Sequence, residues 1–169
     1  MLKLLVYAPC EKVIVSNDGL ASLIAVMETI NVTVPADVPP EVFAPMNWQI
    51  LSLWHRSQDV EQPVEIEERT DVLRPDGSMA SSSTTRKTIT NDHLMYRTIV
   101  NMPVFPIGQS GYVWVKCFTR QLNPETEWIV AAEFPLLVKH NPIPPAAEQP
   151  EQPAAEQPAA AAESTEAPN

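Results

Sequence analysis

From Trp128 onward, large apolar side chains occupy every second residue: Trp128, Val130, Ala132, Phe134, Leu136 and Val138, with Glu133 and Lys139 in the opposite phase. A period of two turns one face of an extended chain towards a core and the other towards water, so this stretch is a half-buried strand. Val64, Ile66, Thr70 and Val72 alternate in the same way with Glu65, Glu67, Arg69 and Asp71. Further strands are expected in the opening segment, through Trp48, Ile50, Leu51, Leu53 and Trp54, at Leu94, Tyr96, Thr98 and Val100, and over residues 112–120.

Turn residues punctuate these runs. Pro75-Asp76-Gly77 closes a hairpin, with proline presetting one turn dihedral and glycine accepting a positive φ. Asn123-Pro124-Glu125-Thr126 forms a turn before the last strand. Residues 79–90 are rich in serine and threonine and suit an edge strand, where Arg86 and Lys87 discourage pairing with another chain. The expected fold is all-β, a single antiparallel β-sandwich of seven or eight strands over residues 1–140. One segment fits two readings. Leu20, Leu23, Ile24 and Met27 follow helical spacing, whereas the Ser16-Asn17-Asp18-Gly19 turn after a β-rich run suits entry into a strand.

Proline placement separates a tail from this domain. Of 18 prolines in 169 residues, 7 lie in residues 141–169, with five acidic residues and no lysine or arginine, so half of the net charge of −10 sits there. Ala146-Ala147-Glu148-Gln149-Pro150 recurs imperfectly as Glu151-Gln152-Pro153 and Ala154-Ala155-Glu156-Gln157-Pro158. With Ile143 as its one large apolar side chain, the segment cannot offset roughly 1–2 kcal/mol per residue of backbone ordering. It is expected to be a disordered acidic tail, extended in polyproline-like stretches.

Charge and cysteine usage narrow the function classes. A net charge of −10 removes the general electrostatic route to nucleic acid or anionic lipid. The apolar stretch at residues 4–9 is shorter than a secretory core of roughly 7–15 residues. The uncharged run between Arg97 and Lys116 is broken by Pro103, Pro106, Gly108 and Gly111, so it is not a spanning helix. Cys10 and Cys117 are far apart with no Cys-x-x-Cys spacing, which suits buried thiols in a reducing cytoplasm.

Asp18-Gly19, Pro75-Asp76-Gly77 and the strand Gly111-Tyr112-Val113-Trp114-Val115 together resemble a bacterial family known only as a domain of unknown function. The resemblance covers most of residues 2–139. It implies a small β-sandwich and a strand rather than a helix over residues 20–30; it implies no activity and no catalytic residues. The chain departs from the pattern at Leu20, in place of lysine, and at Ala25, in place of glycine.

No Gly-x-Ser-x-Gly elbow, phosphate loop or dinucleotide fingerprint is present, and four glycines leave little material for one. His55, His93 and His140 show no metal-ligand spacing, and Cys117 lies mid-strand, which suits packing better than nucleophilic chemistry. If the strands alternate up and down, loops 16–19, 57–63, 91–93 and 123–126 share one end. Asp18, Asp59 and Asp92 there are candidate Ca²⁺ ligands, because Ca²⁺ takes roughly six to eight oxygens; as plain turn formers they would bind nothing. The other end gathers loops 31–45, 75–78 and 102–110, two of them apolar and proline-rich. Phe43, Met102 and Phe105 are the candidate anchors of a protein-binding patch, or else fold inward and plug the sandwich. Trp48, Trp54, Trp114 and Trp128 all have apolar strand neighbours and are expected in the core rather than in a stacking platform. The preferred function is a non-enzymatic protein-binding or assembly module needing no cofactor. The alternative is a metal-assisted or nucleophilic hydrolase in which His55 or His93 converges on loop carboxylates.

Overall fold

The computed structural model describes residues 2–57, 63–90, 92 and 94–143. These form nine strands and no helix: β1 (Leu2–Val15), β2 (Ala21–Val26), β3 (Thr29–Val34), β4 (Phe43–Arg56), β5 (Val64–Leu73), β6 (Met79–Ile89), β7 (Met95–Pro106), β8 (Gly111–Gln121) and β9 (Ile129–Pro142). They make two sheets, a four-stranded one in the order β2-β1-β4-β7 and a five-stranded one in the order β3-β9-β8-β5-β6. Asp59, His93 and residues 144–169, which hold most of the expected tail, lie outside the described residues.

Period-two burial explains how the sheets meet. Ile66, Glu68, Thr70 and Val72 of β5 are buried, as are Val113, Val115 and Cys117 of β8 and Leu136 and Val138 of β9. Trp48 and Ile50 of β4 and Phe105 of β7 join Val72, Val113, Val115, Leu136 and Val138 in one cluster, so the two sheets share a core. The Ser/Thr-rich β6 is an edge strand, as its composition predicts, and it runs the full length of β5.

Two expectations need correction. The described strands number nine, not seven or eight, and one pairing is parallel rather than antiparallel. Both differences arise from the segment read as 20–30. It is extended and not helical, but it is not one strand. At Ala25 the backbone adopts φ = 50°, in the left-handed region that favours glycine, and Met27 donates its amide to Pro9 O at 2.9 Å. The buried Met27 packs into the shared core, and the chain passes there from the edge of one sheet to the edge of the other. Residues 31–34, expected to be loop, join Thr29 and Ile30 in β3, which runs parallel to β9 with Ile30 opposite Val138.

β1 also does more than a first strand needs. Its opening half pairs with β4 as far as Cys10–Gln49, and from there β2 is its partner. This β1–β2 hairpin lies over the outer face of its own sheet. Val13, Ala21 and Leu23 pack with Cys10, Val6, Leu51 and Ile99. Val13 donates its amide to Gln49 Oε1 (2.5 Å), and Arg97 Nη1 donates to Gly19 O at the hairpin tip (2.8 Å). A cleft of about 550 Å³ opens beside its root, with Lys12, Gln49, Asn101 and Met102 among its walls.

Candidate functional site: the proline-stiffened loop end

The three loops expected to share one end do so. They are β3–β4 (residues 35–42), β5–β6 (74–78) and β7–β8 (107–110), and direct bonds tie them together. Val42 O accepts both the Ile107 amide (3.0 Å) and the Gly108 amide (3.1 Å). His140 on β9 bonds through Nε2 to Ile107 O at 2.7 Å. Gly108 has room only for hydrogen, since a Cβ there would lie 2.3 Å from Pro39 O and 2.4 Å from Pro40 O. That backbone contact makes the residue's identity obligatory.

Asp76 links the other two loops. Its carboxylate accepts from Gln109 Nε2 (2.8 Å) and from the Ser78 amide (2.8 Å), while its own amide donates to Gln109 Oε1 (3.2 Å). The Gln109 amide, then the Ser78 bonds, pull the Asp76 carboxyl down to about 2. A carboxyl held below its usual value of 3.8 supports the folded state fully above that value and loses its contribution as pH falls through about 2. Arg74 donates to Met79 O (2.7 Å) and places its guanidinium 5.3 Å from the centre of the Phe43 ring.

The candidate anchors separate on this scaffold. Phe43 is 36% exposed, with Val104 and Met79 similarly open to solvent nearby in the fold. Met102 is half-buried against the shared core and also lines the cleft beside the hairpin. Phe105 is corrected: it is fully buried and meets Trp48 edge-on, with ring centroids 5.4 Å apart, so it offers no surface to a partner. β4 and β7 stay paired as far as Phe43–Pro106, which carries the strand phase of Phe105 into what the sequence suggests is loop.

The carboxylate cluster does not assemble among the described residues. There, no three His, Cys, Asp or Glu side chains are placed so that they could hold a metal ion. The Asp18 carboxylate accepts from Ser16 Oγ and from the Leu20 amide, the work of a turn former. Asp92 accepts from Thr90 Oγ1. Strand alternation puts His55 on the outer face of its sheet, since its neighbours Trp54 and Arg56 are buried.

The feature missed in the sequence is a buried polar cluster between the sheets. Glu68 is 3% exposed on β5. Its Oε1 accepts from Ser52 Oγ (2.5 Å) and lies 3.7 Å from Cys117 Sγ; its Oε2 accepts from Thr98 Oγ1 (2.6 Å) and Trp54 Nε1 (3.2 Å). Lys87 Nζ donates in turn to Thr98 Oγ1 (2.9 Å) and sits 4.5 Å from the centre of the Tyr96 ring. A cation thus reaches the carboxylate through one hydroxyl, in a chain whose bonds polarise one another. Glu68 stands in the apolar phase between Ile66 and Thr70, and that position is the signal that marks it.

Serine, cysteine, carboxylate and lysine in one cluster suggest nucleophilic chemistry, but the surroundings oppose it. Ser52, Glu68, Thr98 and Cys117 are all buried. Burial, then the Glu68 carboxylate, pushes the Cys117 thiol far above its usual range, and burial raises Cys10 as well. A reactive cysteine needs the opposite. Neither thiol should therefore react with Ellman's reagent under native conditions, while both should react in denaturing guanidinium; fast native labelling of Cys117 would show an accessible nucleophile.

The tryptophans divide evenly. Trp48 and Trp54 are core residues with satisfied indoles, Trp48 Nε1 donating to Val104 O at 3.0 Å. Trp114 is 36% exposed beside Tyr112, and Trp128 is flanked by the Arg69 and Arg120 guanidiniums at 4.9 and 4.8 Å. The core expectation is therefore corrected for these two. Among the described residues no helix is long and apolar enough to cross a membrane. Comparison of the chain with known protein families and with curated proteins finds no match.

Proposed function

We propose that the chain is a non-enzymatic protein-binding or assembly module built on a β-sandwich of the bacterial kind it resembles, with the loop end around Phe43 as its contact surface. The observation that carries this reading is the combination of stiff loops and exposed apolar side chains. Val42, Gly108, Asp76 and Gln109 lock the three loops to one another, while Phe43, Val104 and Met79 stay open to solvent. A surface ordered before it meets a partner loses little entropy on binding. An aromatic ring with a guanidinium on its face is the type of anchor that dominates protein contacts.

The test compares proteins captured by the full chain with those captured by a Phe43→Ser/Val104→Ser double variant and by a Trp114→Ser control. The expected result is a thermal midpoint within a few degrees of the parent for the double variant, with specific partners lost. The control should keep them. An identical captured set for the double variant and the parent would overturn the reading.

A further inference from the structure

The outer face of the five-stranded sheet is finished at one half and bare at the other. Where β5, β8 and β9 carry charge, its aromatic rings are covered by their own neighbours. Arg69 lies 4.4 Å from the centre of the Phe118 ring and Arg120 lies against Trp128, with Arg120 bonded to Glu67 (2.7 Å) and Lys116 to Glu133 (2.6 Å). Further along, Tyr112 is 54% and Trp114 36% exposed, and among the described residues no guanidinium lies over either ring. Their ring centroids are 6.4 Å apart, and Leu137 and the exposed Pro135 stand opposite them on β9.

We propose that the acidic, proline-rich segment of the same chain, residues 144–169, docks on this Tyr112–Trp114 strip. Three observations point to that occupant. The first is where the chain leaves the sheet. Leu137 pairs with Tyr112, and β9 continues only to Pro142. The path from Leu137 to Ile143 is roughly 20 Å of extended chain. The residues beyond it reach roughly 80 Å at about 3.1 Å each, ample to turn back along the face.

The second observation is chemical. The segment repeats proline every few residues and carries no aromatic side chain of its own. Proline-rich chains are recognised by exposed aromatic rings, against which they lay a preformed extended helix at low entropic cost. The third is charge. The segment has five glutamates and no basic residue. Lys139 is exposed on the same strand face as Leu137, lies between the exit point and the aromatic pair, and forms no ion pair with a described residue. Because the segment is tethered, its effective concentration is in the mM range, so a weak contact suffices.

The full chain carrying Ala159→Cys and a nitroxide label tests this, since Cys10 and Cys117 are buried and stay unlabelled. The expected result is a stronger loss of the Trp114 indole signal in the nuclear magnetic resonance spectrum than of those of Trp48, Trp54 and Trp128. Adding Tyr112→Ser and Lys139→Glu should restore the Trp114 signal, while unchanged Trp48 and Trp54 signals report an intact fold. A Trp114 signal as strong as that of Trp128 overturns the proposal. So does loss that persists in the double variant. Loss seen only when labelled chains are mixed with isotope-enriched unlabelled ones reports contact between copies, and overturns it too.

Discussion

Replacing Glu68 with alanine lowers stability by about 3–5 kcal/mol, read as a fall in the urea midpoint. The carboxylate collects Ser52, Thr98 and Trp54 as donors inside the core, and truncation leaves them facing a cavity. The serine and threonine hydroxyls can rotate towards other acceptors. The Trp54 N–H is fixed to its ring and cannot, and each unsatisfied buried donor costs about 1–3 kcal/mol. Glu68→Gln keeps shape and one acceptor, and its amide can donate to a reversed Ser52 hydroxyl, so it should cost roughly half as much. An alanine variant within about 1 kcal/mol of the parent would mean that water fills the site and that the cluster contributes little.

Phe105→Ala should cost about 3–5 kcal/mol as well, by a different route. The ring is fully buried between the sheets, and its edge contact with Trp48 adds to the area it removes from water. Phe43→Ala removes the same atoms from a position 36% exposed and should cost under about 1 kcal/mol. The contrast decides what the loop end is made of: Phe105 plugs it and Phe43 faces outward. Equal losses from the two substitutions would contradict that division.

The parts of this fold legible in the sequence are those written in local pattern. Strand β5 and the second half of β9 follow from strict alternation, which breaks before Ala132, where Trp128 precedes the strand and Val130 is exposed. The β5–β6 hairpin follows from Pro75-Asp76-Gly77, and the edge position of β6 from its hydroxyl-rich composition. The gathering of the three loops at one end follows from strands that alternate up and down. What stayed hidden depends on distant partners. Parallel pairing of β3 with β9 leaves no turn between them to read. Trp114 lies between the buried Val113 and Val115, and composition alone does not say which phase of β8 faces the core. Glu68 breaks the apolar phase of its strand, and its donors come from β4, β7 and β8. The hairpin over the outer sheet face is another such case, since it turns Cys10 and Leu51 into core residues on a face that alternation assigns to water.

The pairing of Ile30 with Val138 also sets an order of events during synthesis. More than a hundred residues separate these partners, so β3 leaves the ribosome long before β9 exists to receive it. Strands β1, β2 and β4 are antiparallel neighbours close in sequence and can pair meanwhile. Until the last strand is made, Ile30, Val32 and Val34 have no sheet to join, and a nascent chain halted before β9 would display an unpaired apolar edge to any chaperone within reach.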